Sequence, residues 1–215
     1  KLIHTSTSEV YGSAKFVPIT EDHPLNGQSP YSASKIAADH LANSYYLSYG
    51  VPIVTLRPFN TYGPRQSLRA IIPTIITQVL NNSKKIKLGS LEPTRDFLYI
   101  SDTVSAFVLA LKSKKCIGET INIGSGSEIS IKELVDLISK TINKKIVVSS
   151  EQSRKRPNKS EVNRLCCSNK KAAKLLKWKP SYKGNSGMKY GIKKTINWFS
   201  KSENLRKYKS KNFVV

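Results

Sequence analysis

Apolar residues follow two spacings along this chain, and the changes between them mark its elements. Short apolar or β-branched runs bounded by turn residues predict strands over 2–5, 51–56, 85–88, 96–100, 120–123 and 146–148. Longer stretches with helical spacing predict helices over 30–49, 70–81, 101–111, 130–142, 169–176 and 187–199. Punctuation residues support these limits. Ser29 is an N-cap candidate, Pro30 suits a first turn, and Gly50 followed by Pro52 ends the helix. Pro73 falls in a first turn, Ser101 and Asp102 are placed to cap the next helix, and Ser130-Ile131-Lys132-Glu133 is a capping box.

The strand at 2–5 reads as buried. The amphipathic helix over 30–49 joins it to the strand at 51–56 as a βαβ crossover, which predicts parallel pairing. This is an α/β pattern. Residues 13–28 form a polar loop with Pro18, Pro24 and Gly27, long enough to carry function. Residues 57–66, with Pro58, Gly63 and Pro64, predict irregular backbone at a strand's carboxyl end. The one Gly-x-Gly, Gly124-Ser125-Gly126, sits between a strand and a helix as a dinucleotide loop would. Ile129 stands where a third glycine belongs, so a plain connection is the better reading. Residues 151–160 form a charged loop, and the tail from 201 is basic.

Composition narrows the class. A chain of 215 residues with 39% apolar content can bury a substantial core. No stretch is long enough to span a membrane, and Lys1-Leu2-Ile3-His4 does not open a signal peptide. The chain starts on a strand without an initiator methionine, and so reads as a piece of something longer. Cys116, Cys166 and Cys167 make neither a disulfide framework nor a zinc spacing, which favours a reducing, cytoplasmic setting. His4, His23 and His40 are too scattered for a metal and read as structural or surface residues. The net charge of +22 raises a nucleic-acid reading. Against it, the lysines are dispersed and no binding motif accompanies them. Part of the excess charge would suit a substrate carrying a diphosphate.

Chemistry concentrates near the start. Thr7, Ser8 and Glu9 follow the first strand, where open α/β sheets place ligands. Tyr31 and Lys35 are four apart on the next helix and share a face. An ammonium beside a phenol favours the phenolate, giving a base able to take a hydroxyl proton. Tyr-x-x-x-Lys alone is weak, because chance pairs are common. Its company gives it weight: Thr-Ser-Glu before it, and Arg57-Pro58-Phe59-Asn60-Thr61-Tyr62-Gly63-Pro64-Arg65-Gln66 after it.

Together these motifs resemble the extended short-chain dehydrogenase/reductase family, specifically its nucleotide-sugar 4,6-dehydratases and epimerases, over residues 1–200. The resemblance implies the carboxyl-terminal part of a Rossmann-like doubly wound parallel sheet plus a small substrate-binding lobe. Residues 1–66 would carry the catalytic half, 67–200 the lobe with interleaved sheet elements, and 201–215 a basic tail. The glycine-rich loop and first βα units of the family are absent from this stretch, so the strand at 2–5 is expected to be an unpaired sheet edge here and the chain alone to be inactive. Implied are NAD as cofactor, a nucleotide-diphosphate sugar as substrate, and a homodimer of the full-length protein.

By the same resemblance, Tyr31 takes a proton from the sugar's O4 while NAD accepts hydride from C4. Lys35 holds Tyr31 and the nicotinamide ribose, and Thr7 hydrogen-bonds the O4 region. Glu9 removes the C5 proton, water leaves from C6, and the hydride returns there. Pro58 and Phe59 would lie against the nicotinamide, with Asn60, Arg65, Arg95 and Arg156 binding the nucleotide sugar. Ser8 departs from the pattern. Many 4,6-dehydratases have an aspartate there to protonate the leaving hydroxyl, whereas Thr-Ser-Glu also resembles the uronic acid decarboxylases. Residues 62–73 and 204–215 are closer to dehydratases of legionaminic-type sugar pathways acting on nucleotide-linked N-acetylglucosamine. A 4-epimerase, a decarboxylase and a non-catalytic remnant are the alternatives.

Overall fold

A parallel strand pair needs a long crossover, and the chain builds one at its start. In the computed structural model, which describes residues 1–155, 157 and 159–208, β1 (Leu2–Thr5) passes through a 3-10 turn (Ser8–Tyr11) and a loop into α1 (Pro30–Tyr49). The chain then returns as β2 (Ile53–Pro58). β3 (Asn60–Tyr62), α2 (Ile71–Leu80), β4 (Ile86–Leu88), β5 (Thr94–Arg95), β6 (Phe97–Tyr99) and α3 (Ile100–Lys112) follow. β7 (Thr120–Ile123), β8 (Ile129–Ser130), α4 (Ile131–Ile142) and β9 (Val148–Ser150) come next. α5 (Lys170–Leu176), α6 (Gly184–Phe199) and α7 (Ser202–Leu205) complete the described chain.

The central sheet has the order β1-β2-β7, all parallel, with Leu2 opposite Ile53 and Thr55 opposite Thr120. Strand alternation gives it two different faces. Val54 and Leu56 of β2 meet Ala106 and Ala110 of α3 and Leu176 of α5 in one apolar core. Thr55 and Arg57 point the other way, toward α1. Three two-stranded pairs, β3–β6, β4–β9 and β5–β8, belong to the rest of the chain. A second core there gathers Ile72, Ile75 and Ile76 of α2, Leu134 and Ile138 of α4, and Ile192 and Phe199 of α6. This is an α/β architecture. No helix among the described residues is long and apolar enough to cross a membrane.

α1 keeps its expected limits because its ends are specified locally. Ser29 Oγ accepts from the Ser32 N–H at 3.1 Å, Ser32 Oγ accepts from the Ser29 N–H at 3.0 Å, and Gly50 takes φ 65°. β1 is the sheet edge, as expected for this stretch, with Leu2 50% exposed. Three expectations need correction. α1 is not strongly amphipathic: its buried residues are Ser32 and Asp39, and Ile36 packs half-buried against the Val10–Tyr11 core. The stretch after β2 is not wholly irregular, since residues 60–62 pair with β6. Ser101 and Asp102 do not cap α3; Asp102 lies inside its first turn, where its carboxylate accepts from the Tyr182 N–H at 2.8 Å.

Candidate functional site

Past β1 the Ser6 N–H donates to the Leu56 carbonyl at 2.8 Å, carrying the pairing to the brink of the turn. Thr7 then stays extended and caps the 3-10 turn, its Oγ1 accepting from the Glu9 N–H at 3.3 Å. Gly12 ends the turn at φ 62°, where a Cβ would stand 2.5 Å from Gln28 Oε1. Ser8, Val10 and Tyr11 are buried, while Thr7 and Glu9 are half-buried.

α1 supplies the facing wall. Lys35 Nζ donates to the Thr5 carbonyl at 2.9 Å, bringing the Tyr31–Lys35 face beside the residues that lead into Thr7. Tyr31 is 52% exposed at the start of the helix. One turn beyond Lys35, Asp39 is buried. Its carboxylate accepts from Ser6 Oγ at 2.9 Å and from Arg57 Nε at 3.0 Å, with His4 Nε2 at 2.8 Å. Arg57 also donates to the Tyr11 hydroxyl at 2.9 Å, which donates to Asn122 Oδ1 at 2.7 Å. Burial pushes the Tyr11 phenol up to about 12 despite the guanidinium beside it.

The segment after β2 was expected to face ligands. Phe59 packs instead in a third core with Val10, Tyr11, Ile19 and Leu165, while Pro58 is half-buried. Asn60 Oδ1 and Gln66 Oε1 are the buried side-chain atoms without a hydrogen-bond partner among the described residues. Both are acceptors and both lie within this one segment, where a bound donor would satisfy them. Arg65 has φ 67°, an uncommon conformation for a non-glycine. It lines a cleft of about 400 Å³ with Trp198, Asn204, Lys207 and Tyr208. Arg95 donates to Glu161 at 3.2 Å and to its neighbour's carbonyl, Thr94 O, at 2.9 Å. Arg156 lies outside the described residues.

The Gly-Ser-Gly loop is filled by a side chain. Asp96, completely buried, accepts from the Ser125 N–H and Oγ at 2.7 Å each, the Gly126 N–H at 2.9 Å and the Cys167 N–H at 3.0 Å. A Cβ on Gly124 would stand 2.4 Å from that of Cys167. The loop therefore joins β7, the 94–99 strands and the 165–168 segment, and it presents no open dinucleotide cradle. Burial raises the Asp96 carboxyl to about 6, against the pull of its four donors.

Of the residues expected to act, Thr7, Ser8 and Glu9 share the 3-10 turn, and Tyr31 and Lys35 share a face of α1, which Lys35 ties to Thr5 just before that turn. Sequence reasoning missed Asp39 and Arg57, which tie these elements together. The signal for Asp39 was present: it follows Lys35 by four residues on the same face.

A family model described as GDP-mannose 4,6 dehydratase matches residues 1–190. Human dTDP-D-glucose 4,6-dehydratase is 36% identical over 217 residues, covering 98% of this chain and 59% of that protein. The crystal structure of Bacillus anthracis dTDP-glucose 4,6-dehydratase in complex with NAD superposes with a TM-score of 0.82 at 33% identity, over 94% of this chain and 62% of that one. Bacillus cereus UDP-glucuronic acid 4-epimerase, in complex with UDP-glucuronic acid and NAD, also gives 0.82 at 33%, over 91% and 60%. The chain thus spans less than two thirds of the length of each of these relatives.

Proposed function

The chain belongs to the nucleotide-sugar 4,6-dehydratase and epimerase family, and from that premise we propose that the protein carrying it is an NAD-dependent nucleotide-sugar 4,6-dehydratase (a lyase). Its substrate in this reading is a nucleotide-linked N-acetylglucosamine, used in bacterial surface-polysaccharide or nonulosonic-acid synthesis. The observation that carries the reading is the Lys35–Thr5 tie, which sets a phenol and an ammonium beside the Thr7-Ser8-Glu9 turn. Residues 1–66 form the catalytic half, and 67–200 the substrate lobe with interleaved sheet elements such as β7. The full-length protein is a homodimer.

When bound, NAD supplies an acceptor for hydride and later returns it. The exposed Tyr31 hydroxyl and the Lys35 ammonium, on one helix face, fit a ribose edge and a sugar hydroxyl. Tyr31 Oη takes the proton of the C4 hydroxyl as that carbon is oxidised. The ketone formed acidifies C5, and Glu9 removes the C5 proton. Thr7 Oγ1 hydrogen-bonds the oxygen at C4. The unpaired acceptors on Asn60 and Gln66 suit hydroxyl or amide donors of the nucleotide sugar. Arg95 and Arg156 flank the diphosphate, with Arg65 at its margin.

Ser8 favours a second reading. A hydroxyl is a poor acid for expelling water from C6, and a 4-epimerase needs no such acid; the likeness to an epimerase equals that to a dehydratase. Incubating the full-length protein with NAD and UDP-N-acetylglucosamine separates the possibilities. A 4-keto-6-deoxy product supports the dehydratase. Inversion at C4 moves the assignment to epimerase, and in a parallel incubation with a nucleotide-linked uronic acid, release of CO2 moves it to decarboxylase.

A further inference from the structure

We propose that the buried Asp39–Arg57 pair is the positioning core of the catalytic wall, holding the Tyr31–Lys35 face of α1 in register with the Thr7–Glu9 turn. The inference rests on the catalytic reading of Tyr31 and Lys35 above. Tyr31, Lys35 and Asp39 are spaced by four and lie along one helix face. Strand alternation puts the side chains of His4 and Ser6 on the same side of the first strand, and both reach Asp39. Between them, the Thr5 carbonyl takes Lys35. Two residues one helical turn apart thus grip three consecutive strand residues immediately before Thr7.

Arg57 carries the coupling onward. Its Nη2 reaches the same Asp39 oxygen at 2.9 Å, and its guanidinium lies 5.0 Å from the centre of the Tyr11 ring. Tyr11 closes the turn that holds Ser8 and Glu9, and its hydroxyl reaches Asn122 of β7. Asn122 in turn donates through its backbone N–H to Glu21 at 2.8 Å and through Nδ2 to the Ile19 carbonyl at 3.2 Å. One ion pair therefore reaches every element that bears a proposed catalytic residue.

Simple stabilisation does not account for this arrangement. A buried ion pair gains little over apolar packing once its desolvation is counted. The one large apolar side chain that α1 packs toward this wall is Ile36, half-buried against the core of Val10 and Tyr11, while Ser32 and Asp39 are its buried residues. What the pair provides is direction: each hydrogen bond fixes a distance, whereas apolar contacts tolerate sliding. The charged and titratable groups around Asp39 are His4 and Arg57, with Lys35 one turn away and Tyr11 beyond Arg57.

The test uses the full-length protein with NAD and UDP-N-acetylglucosamine. In Asp39→Asn the amide keeps the shape but removes the charge that faces Arg57 and leaves a single acceptor oxygen for the Ser6 and Arg57 donors, with its NH2 turned toward His4. Kcat should fall by about 100-fold, the loss associated with a misplacement of about 1 Å, while KM changes little. Asp39→Glu should recover part of the loss. If Asp39→Asn does not fold, Ser6→Ala, which removes a single tie, is read in the same way. Unchanged kcat, or a loss that follows thermal stability and that Asp39→Glu does not recover, overturns the proposal. Tyr31→Phe separates the two levels: if it is as active as the parent, the catalytic reading itself fails. If it is inactive while Asp39→Asn is normal, only the positioning role fails.

Discussion

Arg95 Nη2 lies 3.2 Å from the Glu161 carboxylate, with the two side chains only 13% and 17% exposed. An arginine proposed to bind a diphosphate is therefore held by a protein carboxylate before any ligand arrives. Pairing lowers the cost of keeping that guanidinium partly out of water, and it also sets an anion where an anionic ligand must approach.

Two substitutions separate these effects. Arg95→Ala removes the cation and should raise KM for the nucleotide sugar with little change in kcat. Glu161→Gln keeps the hydrogen-bonding shape and removes the competing charge, so titration with UDP should show tighter binding. Weaker binding in Glu161→Gln would mean that the carboxylate orients Arg95 and does not compete with the ligand.

Tyr31→Phe deletes the hydroxyl proposed as base and little else, because that side chain is half exposed. A positioned acid–base group contributes roughly 100- to 10,000-fold, so kcat should fall within that range while UDP binding persists. Steady-state kinetics beside a binding titration checks both. Turnover near that of the parent removes Tyr31 from the mechanism.

The legible parts of this fold are those that neighbours in sequence decide. α1 keeps its limits because Ser29, Ser32 and Gly50 act within a few residues, and the Ser130–Glu133 box begins α4 for the same reason. β7 was readable from four residues because a β-rich run ends there at a glycine. What was not legible depends on partners far along the chain. Arg57 looked like the start of a loop, and its burial follows from Asp39, 18 residues earlier. Asp96 looked like part of a strand, yet its role comes from Ser125 and Cys167, 29 and 71 residues later. The apolar pattern of residues 2–5 says only strand; its edge position follows from the family's sheet order, in which its other neighbour comes from outside this stretch.

Trp178 tests the packing between α3 and the segment after α5. It is 2% exposed, and its Nε1–H donates to Ser105 Oγ at 2.9 Å and to the Asp102 carbonyl at 3.2 Å. Trp178→Ala should cost about 3–5 kcal/mol, the usual range for removing a large buried aromatic. Denaturant unfolding measures it directly. A loss below about 1 kcal/mol would show that the site collapses around the smaller side chain.

Asp96 gives a pH dependence of definite sign. Its carboxyl is raised by burial to about 6 in the folded protein, above the ordinary value. Between those two values the folded chain keeps a proton that the unfolded chain has lost. Stability from this group is therefore complete in acid and declines as pH rises through 6, then stays level. A shift of this size corresponds to about 3 kcal/mol across that window. Other carboxylates titrate in the same window, so the quantity to follow is the difference between the parent and Asp96→Asn. Asparagine cannot ionise, and it meets four donors with an amide that donates through one side, so it should be less stable than the parent at every pH. The gap should be widest near pH 4, narrow until pH 6 and remain constant to pH 8. A gap that instead widens as pH rises would show that the four donors outweigh burial and hold the carboxyl below its ordinary value.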